Sequence, residues 1–205
     1  PHPLDTQDME GIIRHSPEQF QAGLDAAASL PHEALAKWGQ IQHVLVAGMG
    51  GSWMAGALVR DAGLATVPIS IHSSYDLPAP LPSDTLVIAS SFSGNTEEPL
   101  SAYDAAHATG LPLVGIAAGG ELEQRCQRDG VPFVKIPADP PTMQPRSATG
   151  YGVGILVQML ARAGLASADA VGQIERLNAF LQNAMDAARQ RGEALVSSLA
   201  NATPI

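Results

Sequence analysis

One cysteine, two lysines and few aromatic side chains are the first features of this 205-residue sequence. Cys126 has no second thiol to bridge with, so no disulfide framework holds the fold, and that usage fits a reducing cytoplasm. The lysines are Lys37 and Lys135, and 11 Lys plus Arg stand against 20 Asp plus Glu, for a net charge of −9. Nucleic-acid backbones are held by clustered cations, which this balance does not supply. Charged residues make up 15% and hydrophobic ones 45%, which excludes a disordered chain. Residues 38–59 carry no charge, but Gln40, Gln42, His43, Ser52 and five glycines break the stretch into two short apolar runs. A membrane span needs about 20 mainly apolar residues in sequence, so no span is expected. Nor does a basic-then-apolar leader open the chain, and a cytoplasmic protein is the expectation. Both ends, at Pro1 and Ile205, read as cut.

What is present is an alternation. Ser16-Pro17-Glu18-Gln19 predicts a helix start with a Ser cap, Pro in the first turn and Gln19 closing a capping box, the helix running to about Ser29. A second helical piece, 32–38, precedes the short apolar run 43–47. After the turn 48–52 come an apolar helix over 53–62 and a strand over 67–71. The Pro-rich stretch 77–82 is a loop. Residues 85–89 predict a buried strand, 96–109 a helix, 113–116 a strand, 121–128 a helix and 133–136 a strand. Short apolar strands alternating with helices indicate a parallel sheet in an α/β three-layer sandwich. Four prolines between Pro137 and Pro145 force a loop, and 147–163, apolar almost all round, reads as a buried helix. From Ser167 onward, Ile174, Leu177, Leu181, Met185, Ala188, Leu195 and Leu199 recur at helical steps, interrupted by Gly192. This predicts a long amphipathic helix outside the core, leading away from it. Residues 1–165 are therefore expected to form the α/β domain with a helical N-terminal arm, and 166–205 a linker helix.

Two strand-to-helix turns carry the chemistry. Gly48-Met49-Gly50-Gly51-Ser52 follows the first strand, and Ser90-Ser91-Phe92-Ser93-Gly94-Asn95-Thr96 follows the strand at 85–89. Strand carboxyl ends are where parallel sheets bind ligands, and each turn opens a helix whose first amides and positive dipole end favour an anion. Serine and threonine hydroxyls add hydrogen bonds without charge, so such a site holds a phosphate without lysine. The competing reading is structural, with glycines for tight turns and serines as helix caps. A nucleotide site fits poorly: Trp53 stands where the dinucleotide fingerprint has its third glycine, and no acidic residue ends the next strand at His72.

The elements Gly48-Met49-Gly50-Gly51-Ser52, Ser91-Phe92-Ser93-Gly94-Asn95-Thr96 and Pro145-Arg146-Ser147 together resemble the N-terminal sugar isomerase (SIS) domain of the bifunctional phosphoglucose/phosphomannose isomerases. The resemblance covers nearly the whole chain, from Leu4-Asp5 onward, and Trp53 departs from the small residue of many relatives. It implies a flavodoxin-like SIS fold and conversion of glucose 6-phosphate or mannose 6-phosphate to fructose 6-phosphate, in glycolysis or gluconeogenesis. It further implies that Ser91, Ser93 and Thr96 grip the phosphate, that Gly50, Gly51 and Ser52 line the site, and that Arg146 faces the reacting carbons and stabilises the enediolate. A guanidinium, always protonated and directional in its hydrogen bonds, suits that charge. The alternative for Arg146 is a surface ion pair.

No base stands out. Glu97 and Glu98 read as dipole partners of their own helix, and His72 and His107 as ordinary polar residues. The resemblance implies that the base glutamate, a ring-opening histidine and a lysine come from a second SIS domain, for which 198–205 reads as the lead-in. The chain is thus expected to bind the sugar phosphate and turn it over poorly. No cofactor and no metal are expected, and the partner is expected to be a second copy, through the SIS domains and the linker helix. Two other readings stay open: a non-catalytic sugar-phosphate-sensing SIS module, and a single-domain isomerase of another phosphosugar.

Overall fold

A computed structural model describes residues 5–36, 38, 40–138 and 143–199. Its centre is a five-stranded, all-parallel sheet in the order β2-β1-β3-β4-β5, built from β1 (His43–Gly48), β2 (Ile69–His72), β3 (Thr85–Ser90), β4 (Leu113–Ala117) and β5 (Phe133–Lys135). This is the flavodoxin-like strand order. Around it stand α1 (Met9–Arg14), α2 (Glu18–Ala28), α3 (His32–Ala36), α4 (Gly51–Asp61), α5 (Glu97–Thr109), α6 (Gly120–Asp129), a 3-10 turn (Pro145–Ala148), α7 (Thr149–Arg162) and α8 (Ala170–Leu199).

Strand side chains alternate between faces, so a sheet covered on both sides must be apolar throughout. Val44, Val46, Leu86, Ile88, Val114 and Ile116 face the layer formed by α2, α4 and α7. Leu45, Val87, Ala89, Leu113 and Ala117 face the layer of α5 and α6, where Leu100, Tyr103, Ala106, Leu122 and Cys126 complete a second core. The expected three-layer α/β architecture is present, and every strand read from the sequence is found within two residues of its predicted bounds.

β2 and β3 lie on opposite sides of β1, yet no helix joins them. The irregular crossing at 73–84, which holds the predicted Pro-rich loop, instead packs Leu77 and Leu81 into the second core. On the other face α7 is buried along most of its length, as its composition demands, and lies so close to α2 that a Cβ on Gly154 would sit 2.3 Å from the Phe20 carbonyl.

Three local expectations change. The predicted capping box at Ser16 does not form: α2 begins after Pro17 with no side-chain cap, because Gln19 is buried against α7 and its amide is used elsewhere. The short α1, capped by the Asp8 carboxylate on the Gly11 amide, puts Met9 and Ile12 on the core, a six-residue element too brief for the sequence pattern to single out. Finally, α8 runs without interruption through Gly192, and its start belongs to the body of the molecule. Ala170 and Ile174 are buried in the first core, and residues 165–167 are bonded to 64–66 through Thr66 N–H to Leu165 O at 2.8 Å and Ser167 N–H to Leu64 O at 2.9 Å. Beyond them Leu177, Phe180, Leu195, Val196 and Leu199 are exposed. Parts of the 137–145 loop and of the 198–205 lead-in, with Leu4 and Lys37, lie outside the described residues. No helix among the described residues is long and apolar enough to cross a membrane.

Candidate functional site

The strand order reverses between β1 and β3, and the two singled-out turns leave the carboxyl ends of these neighbours. Crevices at such switch points are where this architecture takes ligands. The turns are bonded to each other. The Ser52 hydroxyl oxygen, on the first turn of α4, accepts the Phe92 amide at 3.1 Å, and the Ser90 hydroxyl donates to the Ser52 carbonyl at 3.0 Å. A third segment closes against them: a Cβ on Gly51 would lie 3.0 Å from the Arg146 nitrogen and 3.1 Å from the Pro145 carbonyl carbon. The segments 50–52, 90–96 and 145–147 thus come together from three distant parts of the chain.

Within the second turn each residue has a distinct placement. Ser91 is fully buried, and its hydroxyl accepts the amides of Gly94 at 3.1 Å and Thr96 at 3.4 Å. Both lone pairs being taken, its proton goes to the Thr96 hydroxyl at 2.9 Å, which leaves the Thr96 proton free to donate outward. Ser93 is exposed and accepts the Asn95 amide at 3.2 Å, again keeping its own proton available. Gly94 has φ +73°, and a Cβ there would collide with the Gly119 carbonyl at 1.8 Å. Asn95 reaches across to α6, where its side-chain oxygen accepts the Glu121 amide at 2.9 Å, while the Gly94 carbonyl accepts the Leu122 amide at 2.9 Å. The N-terminus of α6 is therefore satisfied by the turn itself.

The N-termini of α4 and α5 are not. Neither helix has a side-chain cap, and the amides of Gly50, Gly51, Ser93, Glu97 and Glu98 have no partner among the described residues. Two helix ends with open donors flank one crevice, and the hydroxyls of Ser52, Ser93 and Thr96 stand beside them. That combination of amides, hydroxyl protons and dipole ends is suited to a compact anion.

Arg146 is exposed on the 3-10 turn and makes no ion pair among the described residues. Its turn is braced from both sides. The buried Gln19 amide donates to the Ser147 carbonyl at 2.7 Å, and the Thr149 hydroxyl donates to the Arg146 carbonyl at 2.9 Å. Beneath the three segments a cavity of about 20 Å³, room for roughly one water molecule, is lined by Ser52, Ser90, Phe92, Pro145 and Thr149 among others. Among the described residues that line it there is no acid, histidine or lysine.

The Tyr75 hydroxyl donates to the Glu97 carboxylate at 2.7 Å, and that bond pushes the Tyr75 phenol above its ordinary value. His72 contacts the Tyr75 carbonyl at 3.3 Å, and His107 stacks on Tyr103. Among the described residues no group of three or more His, Cys, Asp or Glu is placed to hold a metal ion. Sequence reasoning missed the roles of Gln19, Asn95 and Tyr75. For Asn95 the signal was its place inside the polar turn; for the other two, whose partners lie far away in the chain, no local pattern exists.

The five-stranded parallel α/β fold is the one found in solved sugar isomerase (SIS) domains. The solved C-terminal domain of glucosamine-fructose-6-phosphate aminotransferase from Francisella tularensis superposes with a TM-score of 0.63 at 12% identity, over 85% of this chain and 54% of that one. Tagatose-6-phosphate ketose/aldose isomerase from Escherichia coli gives 0.55 at 19%, over 85% and 53%. In sequence, the chain is 38% identical over 155 residues to the bifunctional phosphoglucose/phosphomannose isomerase of Caldicellulosiruptor bescii, and further curated relatives carry the same name, so the resemblance read from the motifs is borne out. That match covers 75% of this chain and 44% of the relative, so the chain spans less than half the length of that relative. No family model matches the chain.

Proposed function

We propose that the chain forms the phosphate-gripping part of a hexose 6-phosphate aldose–ketose isomerase, interconverting glucose 6-phosphate or mannose 6-phosphate with fructose 6-phosphate in the cytoplasm. The observation that carries this reading is the convergence of two uncapped helix N-termini, joined through the Ser52 hydroxyl and the Phe92 amide, in a chain similar to named phosphoglucose/phosphomannose isomerases. In this reading the free amides and the protons of Ser52, Ser93 and Thr96 receive the phosphate, Ser91 shapes the turn, and Gly50 and Gly51 let the backbone approach.

Arg146 then stands on the sugar side. During isomerisation a proton moves between the first two sugar carbons, and an enediolate carries negative charge; a guanidinium placed at that oxygen lowers the barrier by meeting the charge as it develops. In this reading the base comes from elsewhere, since Glu97 is hydrogen-bonded to Tyr75 and His72 contacts the Tyr75 carbonyl. The chain alone accordingly binds without turning over. A second copy covers the exposed apolar residues of α8, and the helix from residue 166 links the 1–165 domain to what it works with.

Calorimetry with fructose 6-phosphate tests the reading. The 205-residue chain is expected to bind, and Ser93→Ala/Thr96→Ala to weaken binding by roughly tenfold or more, since hydrogen bonds to a charged group contribute about 1.5–3 kcal/mol each, with little change in melting temperature. Unchanged affinity in that variant overturns the assignment, and full isomerase turnover by the chain alone favours a single-domain enzyme instead.

A further inference from the structure

The open amides at the start of α5 have a competitor built into the same helix. Glu97 is its first residue, and a carboxylate in the first turn is drawn to the positive end and free amides of its own helix. Pro99 occupies the third helical position, so no capping-box glutamate stands there, and Glu97 and Glu98 are the carboxylates of the first turn. A carboxylate resting there would both block the amides and repel a dianionic ester.

Of the two, Glu97 is engaged by the crossing between β2 and β3. The Tyr75 hydroxyl, 22 positions away in sequence, donates to the Glu97 carboxylate at 2.7 Å. The next residue, Asp76, takes the left-handed conformation at φ +58° and grips α5 one turn farther on: its amide donates to the Ser101 hydroxyl at 2.9 Å, which in turn donates to the Asp76 carboxylate at 3.1 Å. Glu97 and Ser101 lie four residues apart on one stripe of the helix, so two adjacent loop residues clamp two successive turns. Leu77 anchors the same loop in the second core. Tyr75 is 52% exposed, and its side-chain hydrogen bond is the one from its hydroxyl to Glu97.

We propose that Tyr75 is a positioning residue for the anion cradle, its phenol holding the Glu97 carboxylate to one side of the α5 N-terminus so that the amides stay open to a phosphate ester. This rests on the phosphate-site reading above. The test is a double-mutant cycle on the 205-residue chain, with dissociation constants for inorganic phosphate and fructose 6-phosphate measured at low ionic strength. Tyr75→Phe is expected to weaken both ligands by roughly fivefold, within the range of coupling between contacting residues. Glu97→Gln should bind at least as tightly as the unaltered chain, and Tyr75→Phe added to Glu97→Gln should have no further effect. A merely structural role for Tyr75 would instead carry the same loss into the Glu97→Gln background, and that result, or unchanged affinity in Tyr75→Phe, overturns the proposal. Failure of the unaltered chain to bind either ligand removes the phosphate-site reading and this proposal with it.

Discussion

Ser91 and Ser93 are the same residue type two positions apart, and their surroundings give them opposite roles. Ser91 is sealed inside the turn with donor and both acceptors in use, whereas Ser93 keeps its proton at the surface. Ser91→Ala strips the Gly94 and Thr96 amides of an acceptor in a buried setting and should cost about 1–3 kcal/mol in urea unfolding. Ser93→Ala should cost under about 0.5 kcal/mol, as exposed substitutions do, and show its effect in ligand affinity. Gly94 sets a stricter condition, since its positive φ and the Gly119 carbonyl at 1.8 Å both exclude a side chain. Gly94→Ala is expected to lose several kcal/mol, whereas Gly130→Ala, at φ +66° with open space around it, should lose about 1 kcal/mol from the left-handed backbone alone; thermal melts of the two variants separate clash from conformation.

At the scale of elements, the turn after β3 serves three helices in three ways. It opens α5, it donates to Ser52 of α4 through the Phe92 amide and the Ser90 hydroxyl, and it caps α6 through Asn95. Because α6 begins at Gly119 and Gly120 with no capping side chain of its own, Asn95→Ala should destabilise the chain by about 1 kcal/mol, the ordinary worth of an N-cap. Amide exchange would locate the loss in the first turn of α6; protection unchanged there would deny the cap. Gln19 shows the same economy of form. Its spacing from Ser16 suits a local capping box, but its burial between α2 and α7 places the amide against the Ser147 carbonyl, so that one helix steadies the turn bearing Arg146.

For the molecule as a whole, pH dependence has an identifiable source in the α5–α6 layer. The Asp129 carboxylate accepts from Arg128 at 2.7 and 2.8 Å and from the Tyr103 hydroxyl at 3.1 Å. The Arg128 hydrogen bonds lead in holding it at about 2, below its ordinary 3.8. A carboxyl depressed on folding contributes stability that is complete above 3.8 and lost as pH falls toward 2. Asp129→Asn should therefore flatten the acid limb of the stability curve between those values, and an unaltered limb would assign acid sensitivity elsewhere. In the same layer burial pushes the Cys126 thiol up to about 11, so it should not react with a thiol reagent until the chain unfolds.

The sequence by itself determined the layers and the place of the crevice. Apolar strands alternating with helices permit little besides a doubly covered parallel sheet, and glycine- and serine-rich turns after the first and third strands mark where donors gather. These are local signals, carried by neighbours in the chain. The tertiary structure alone decided that Ser91 faces inward, that Asn95 caps a helix 26 positions away, that Gln19 braces a turn 128 positions away, that Tyr75 holds Glu97, and that α8 starts inside the core. Each depends on which polar group a buried or docked side chain meets once the layers close, and a partner that distant leaves no periodicity or spacing in the sequence to read.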